Sequence, residues 1–178
     1  MKTHVAKVAT ALALLMLLFC AGSVPLPRTL TPALTYRGGS TGCVLRDPSG
    51  TGGCVTATLS WLMGQVRVRF GQLPVGCWDR HAWNPRSDHP TGKACDYTVG
   101  RIGKFPGPAL VAKGWSLALW LRFNAVALRV HYVIFQGRIW SREHDAEGWR
   151  PYDGAGGIYD PRNVTGGHFD HVHVSTLS

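Results

Sequence analysis

His131-Tyr132-Val133-Ile134-Phe135-Gln136-Gly137-Arg138-Ile139-Trp140 sets two apolar runs on either side of a Gln-Gly pair. Strand-forming residues interrupted by two residues ending in Gly predict a β-hairpin, because a tight connection needs the left-handed conformation that Gly adopts freely. Upstream, over 114–129, Trp115, Leu119, Trp120, Phe123, Val126 and Ala127 recur at three- and four-residue steps, the spacing of a helix face. Downstream, a Gly/Asp/Arg-rich loop runs to 167, and a last strand is expected from about 170 to 176. Further upstream, 94–99 reads as a short buried strand. Val66-Arg67-Val68-Arg69-Phe70 alternates apolar and basic residues and predicts a half-buried strand. Thr56 is placed to cap a helix over 56–64 with Leu59, Leu62 and Met63 on one side. These elements predict one α+β domain, a mostly antiparallel sheet flanked by helices.

The chain has 178 residues, 45% of them apolar and 16% charged, enough to bury the core of one domain. Its formal charge of +9 suits an anionic partner, with nucleic acid, membrane surface and bacterial cell wall all admissible on charge alone. Lys2 and Lys7 precede an uncharged run over 8–20 that is too short to span a bilayer and suits a secretory leader. The small residues Ala21-Gly22-Ser23 place cleavage before Val24, giving a leader at 1–23; lipid attachment at Cys20 is the rival reading, and the bulky Phe19 argues against it. No later stretch reaches spanning length, so the protein is expected to be secreted or wall-associated, without a membrane span. Residues 24–41, rich in Pro, Thr and Gly, read as a linker, and 42–178 as the domain. Export leaves Cys43, Cys54, Cys77 and Cys95, an even set that reads as two disulfides with three possible connectivities. Cys43–Cys54 and Cys77–Cys95 are favoured, because each pair brackets a Gly/Pro-rich loop.

Two blocks carry chemistry: Ser87-Asp88-His89-Pro90-Thr91-Gly92-Lys93-Ala94-Cys95-Asp96 and Gly167-His168-Phe169-Asp170-His171-Val172-His173-Val174-Ser175. In a strand, residues i and i+2 share a face, so His171 and His173 project together. Such a pair suits a divalent metal site, or one ligand beside one acid-base group, and a further His or carboxylate would leave a position open for water. Alone, the pair is equally compatible with a strand carrying two surface histidines.

The first block changes this. Its spacing Ser-x-His-x-x-Gly-x-Ala-x-Asp resembles the signature of the zinc peptidases that include D-alanyl-D-alanine carboxypeptidases and dipeptidases, lysostaphin-type endopeptidases and the hedgehog signalling domain. The resemblance covers roughly 43–178 and looks closest to a secreted actinobacterial carboxypeptidase-like subgroup. It implies a hedgehog/DD-peptidase-like zinc fold in which His89, Asp96 and His173 ligate one Zn2+ per chain. Gly92 would allow the tight turn between a loop ligand and a strand ligand. His171 is the first choice of catalytic base by strand parity; Asp170, at the position of the carboxypeptidase branch's Glu, is the alternative base or else the orienter of a His. Ser87, Arg80 and Arg86 are candidate substrate-binding residues, the arginines through a bidentate fork on a terminal carboxylate.

The resemblance implies a secreted metallopeptidase, a hydrolase of peptidoglycan stem peptides; with export making a nucleic-acid partner unexpected, the protein is expected to act as a monomer. The alternatives are a catalytically silent zinc-fold module that binds wall or protein partners, and a secreted metal-dependent nuclease. Ser87, Asp88 and His89 are contiguous and cannot form a triad with one another, and neither a Gly-x-Ser-x-Gly elbow nor His-Glu-x-x-His occurs.

Overall fold

The computed structural model describes residues 31–178. The leader expected at 1–23, and 24–30 of the expected linker, lie outside the described residues. A small two-stranded ribbon pairs β1 (Leu45–Arg46) with β2 (Cys54–Val55). The main sheet has six strands, all antiparallel: β3 (Val75–Gly76), β4 (Ala94–Thr98), β5 (Val130–Phe135), β6 (Arg138–Ser141), β7 (Arg150–Pro151) and β8 (His171–Thr176). Their order is β3-β4-β8-β5-β6-β7, so the C-terminal strand lies between strands far from it in sequence. With α1 (Ala57–Phe70), α2 (Pro108–Phe123) and α3 (Ala125–Leu128), this is the expected α+β fold with an antiparallel sheet and flanking helices.

The hairpin forms where its residues predict it. Gln136 and Gly137 take φ of 51° and 64°, and β5 pairs with β6 from Tyr132↔Ser141 to Phe135↔Arg138. Along β5 and β8, alternate residues serve two faces. Val133, Phe135, Val172 and Val174 enter the core with Leu59, Leu62, Leu117 and Trp120. Tyr132, Ile134, His171 and His173 face a cleft on the other side.

Two helices differ from their sequence reading. The strand expected at 66–70 is instead the second half of α1, which runs unbroken from the Thr56 cap, whose hydroxyl accepts from Leu59 N at 3.1 Å, to Gly71. Leu59, Leu62 and Val66 form its buried seam, while Val68 is 84% exposed. The period-2 Val-Arg alternation loses to a helical seam already under way, which carries the helix through Gly64, the expected end, as far as Gly71. The other expected helix, 114–129, starts earlier, with Pro108 at its first position, and ends at Phe123. Its buried face holds Gly114, Leu117, Ala118, Trp120 and Leu121, whereas Val126 is 74% exposed. Gly114 decides the face: an added Cβ would sit 2.2 Å from the Phe135 ring, so β5 packs directly on the helix backbone there.

The described part of the expected linker is docked. Ala33 N donates to Asn124 Oδ1 at 2.6 Å, Trp120 Nε1 donates to Thr31 O at 2.8 Å, and Tyr36 N donates to Ala127 O at 2.8 Å. Among the described residues no helix is long and apolar enough to cross a membrane. The disulfides are Cys43–Cys54 and Cys77–Cys95, the favoured pairing, and they fit an extracellular protein.

Between them, Asp47 organises the entry loop. Its Oδ1 accepts from Ser49 N and Oγ at 2.8 and 2.7 Å, and its Oδ2 from Thr51 Oγ1 and Trp78 N at 2.5 and 2.8 Å. Burial alone would raise its pKa; these donors outweigh burial and hold it below the usual carboxylate value.

Gly92 is the tightest point of the loop that carries His89. It has φ +66°, and an added Cβ would lie 2.5 Å from Cys43 Sγ, 2.6 Å from Cys54 O and 2.7 Å from Val55 Cα. Gly92→Ala is expected to destabilise the protein by about 3 kcal/mol, left-handed strain and overpacking acting together. Thermal unfolding measures this, and a melting temperature equal to that of the wild type would contradict it.

Candidate metal centre

The centre is built by register. β4 and β8 pair antiparallel with Asp96 directly opposite His173, and Thr98 opposite His171. Asp96 Oδ1 therefore lies 2.8 Å from His173 Nδ1 and 3.7 Å from His171 Nε2. His89 arrives from the loop before β4, its Nε2 3.3 Å from Asp96 Oδ2. That loop is clamped to β8, since Ser175 Oγ donates to Asp88 Oδ2 at 2.6 Å.

His89, Asp96 and His173 each offer one ligand atom, all within 4.8 Å of one another, and could hold a metal ion. The donors fit a cation. His89 Nδ1 is hydrogen-bonded to the Cys77 carbonyl, which only accepts, so the proton sits on Nδ1 and the Nε2 lone pair faces Asp96. His173 Nε2 is buried without a hydrogen-bond partner while its other nitrogen meets the carboxylate. Burial would raise the Asp96 pKa, but the charge of His171 and the hydrogen bond from His173, with the His89 ring alongside, outweigh it and hold the carboxyl well below its usual value. Two imidazoles and one carboxylate, with no thiolate, suit zinc-type coordination and leave the cysteines to structural bonds.

His171 stands beside this three-residue cluster. Its Nδ1 donates to Asp170 Oδ1 at 2.7 Å, which leaves Nε2 facing the cluster. Burial lowers its pKa, and Asp96 and Asp170 more than offset this, giving a net rise. Asp170 is fully buried and faces away from the cluster; it also accepts from Gly103 N at 2.7 Å and Thr165 Oγ1 at 2.8 Å. Burial raises its pKa, but the donors, His171 first among them, bring it down to about 2.

The cleft over the cluster has a volume of about 530 Å³. Ser87 lines it, accepting from His89 N at 3.3 Å, and so does Arg86, whose Nη2 donates to Ala155 O at 2.9 Å. Arg80 is exposed and does not line the cleft, so the fork expected of the two arginines is not assembled. Trp83 reaches the rim, whereas Trp140 is in the core.

His168, in the second motif block but assigned there neither as ligand nor as base, and His81, outside both blocks, are part of the site. His81 stacks on His89 with ring centroids 4.7 Å apart and planes 7° apart. His168, only 8% exposed, packs 4.6 Å from His171 and 5.5 Å from His173, its Nδ1 buried without a partner. Burial, then the neighbouring His171 and His173, push its pKa well down. Both adopt positive φ, 43° and 57°, which a sequence signals only through the crowding of His residues around the two motifs. Tyr132, stacked on His173 at 5.4 Å, and Tyr152, against His168 at 5.0 Å, complete the walls.

A family model described as VldE, C-terminal domain, matches residues 51–162, which include His89 and Asp96 and end before the His168–His173 block. No curated protein and no solved structure matches the chain.

Proposed function

The chain belongs to the family of the VldE C-terminal domain, and within that family we propose for it the activity of an exported zinc peptidase that hydrolyses peptidoglycan stem peptides at a D-alanine-type bond. The observation that carries the reading is His171: one nitrogen is pinned to Asp170 and the other lies 3.7 Å from the carboxylate of a metal-competent His/Asp/His cluster. A structural metal site has no need of a buried, oriented imidazole that is not a ligand.

His89, Asp96 and His173 would hold the zinc. When bound, zinc supplies Lewis acidity that polarises a peptide carbonyl and makes water more acidic. His171 accepts the proton of the attacking water at Nε2 and delivers it to the leaving amine. Asp170 fixes the ring and its tautomer. A carboxyl whose pKa is about 2, saturated by three donors, is too weak and too occupied a base for that step, so of the two candidates His171 is the base. Ser87 lies where substrate would pass, and Tyr132 and Tyr152 wall the cleft. Loss of Lys2 and Lys7 with the leader takes the formal charge from +9 to +7, which still favours association with an anionic wall.

The test is incubation of the zinc-loaded protein with purified peptidoglycan, with fragments identified by mass spectrometry. Chelation is expected to abolish fragment release and one equivalent of zinc to restore it; His89→Ala is expected to stay inactive with its circular dichroism unchanged. Undiminished cleavage by metal-free protein refutes the reading. Wall-fragment binding without turnover identifies the silent binding module instead.

A further inference from the structure

Trp83 stands at the cleft rim, 63% exposed, and the proposed chemistry does not use it. Its orientation is nevertheless fixed. Nε1 donates to the Tyr159 hydroxyl at 3.2 Å, Asn84 Nδ2 donates to the same hydroxyl at 3.2 Å, and the His81 ring packs against the indole at 5.0 Å. A large apolar surface held open to water forgoes hydrophobic stabilisation, and here its conformational freedom is already spent.

The chemistry around the indole selects the occupant. Arg86, Asp153, Asn84 and the Tyr159 hydroxyl line the same cleft and edge it with donors and acceptors. These groups are partly paired within the protein, Arg86 with Ala155 O, Asn84 with the Tyr159 hydroxyl and Asp153 with Gly156 N. An aliphatic or aromatic partner side chain would cover the indole but bury their remaining donors and acceptors without partners, at a desolvation cost. A pyranose ring satisfies both, with an apolar C–H face for the indole and hydroxyl and amide groups around its rim.

We propose that Trp83 is a sugar-stacking platform that takes an N-acetylated hexose of a glycan strand, so that the substrate is a stem peptide still attached to its sugar. The inference rests on the peptidoglycan reading for the source of that sugar. Spacing agrees with it: ring contacts of 5.0 Å and 4.7 Å lead from Trp83 through His81 to His89. An extended peptide covers roughly 3.3–3.6 Å per residue, so a few residues hanging from the sugar reach the ligand cluster.

Calorimetric titration of the disulfide-bonded protein with the β-1,4-linked trisaccharide of N-acetylglucosamine tests the platform without calling on hydrolysis. Saturable binding is expected, weakened at least tenfold by Trp83→Ala and largely kept by Trp83→Phe, with circular dichroism unchanged because the side chain is mostly exposed. No saturable binding, or equal binding by Trp83→Ala, overturns the proposal. In a second arm, wild type is expected to show a higher kcat/KM on a disaccharide-linked stem peptide than on the free peptide, and Trp83→Ala to lose that difference. Trp83-dependent sugar binding with neither peptide cleaved would refute the peptidase reading and uphold the platform. Cleavage of both peptides alike, without sugar binding, would do the reverse.

Discussion

His171→Ala is expected to lower kcat for stem-peptide hydrolysis by about 10²–10⁴-fold while the protein still holds one metal ion per chain. The asymmetry follows from geometry. His171 Nε2 lies 3.7 Å from Asp96, beyond the contacts of 2.8 and 3.3 Å that His173 and His89 make with the same carboxylate. Its other nitrogen is committed to Asp170, so removing the ring deletes a proton carrier and leaves the three ligand side chains in place. Asp170→Asn is expected to cost roughly 10–100-fold through a different route. The new amide would turn donor hydrogens toward groups that now donate to the carboxylate, namely His171 Nδ1, Gly103 N and Thr165 Oγ1. Metal analysis beside single-turnover kinetics separates the cases. A His171→Ala protein that has lost its metal would make His171 a ligand and contradict the assignment.

Replacing Cys77 and Cys95 by Ser is expected to cost about 3 kcal/mol of stability, from loop-closure entropy over a sequence separation of 18. It is also expected to weaken metal binding by about 10–100-fold. The Cys77 carbonyl holds His89 Nδ1, Cys95 immediately precedes Asp96, and the chain between them carries the ligand loop, so the bond restrains two ligands together. The corresponding Cys43/Cys54 variant closes a separation of 11 and is expected to lose a similar stability, also about 3 kcal/mol, while keeping metal affinity, since neither cysteine supports a ligand through its backbone. Denaturant unfolding and competition with a chromogenic chelator measure the two quantities. Equal metal affinity in both variants would refute the coupling.

Local stereochemistry carried a good part of the fold. The Gln136-Gly137 turn, the Thr56 cap and the 94–98 strand depend on neighbouring residues, and each formed where its residues predict it. The Val66–Phe70 stretch misled because alternation over five residues suits two periods, and only the Leu59-Leu62-Val66 seam against the core chose the helix. The buried face of α2 was hidden for a similar reason: Gly114 offers no apolar signal, yet its missing Cβ is what admits Phe135.

The candidate site divides along the same line. By itself the sequence determined which donors are present and that His171 and His173 share a face, because side-chain direction along a strand is a property of the chain's own pleat. Tertiary structure decided which groups meet. Asp96 and His173, 77 residues apart, are opposite only because β4 and β8 pair in the one register that buries Val172 and Val174. It also tied Asp170 to His171, Gly103 and Thr165 through hydrogen bonds that no local pattern foretells, and brought His81 and His168 to the cluster on left-handed loop backbone. A side chain's chemistry belongs to its residue type, but its partners are set by long-range packing, which no short window of sequence contains.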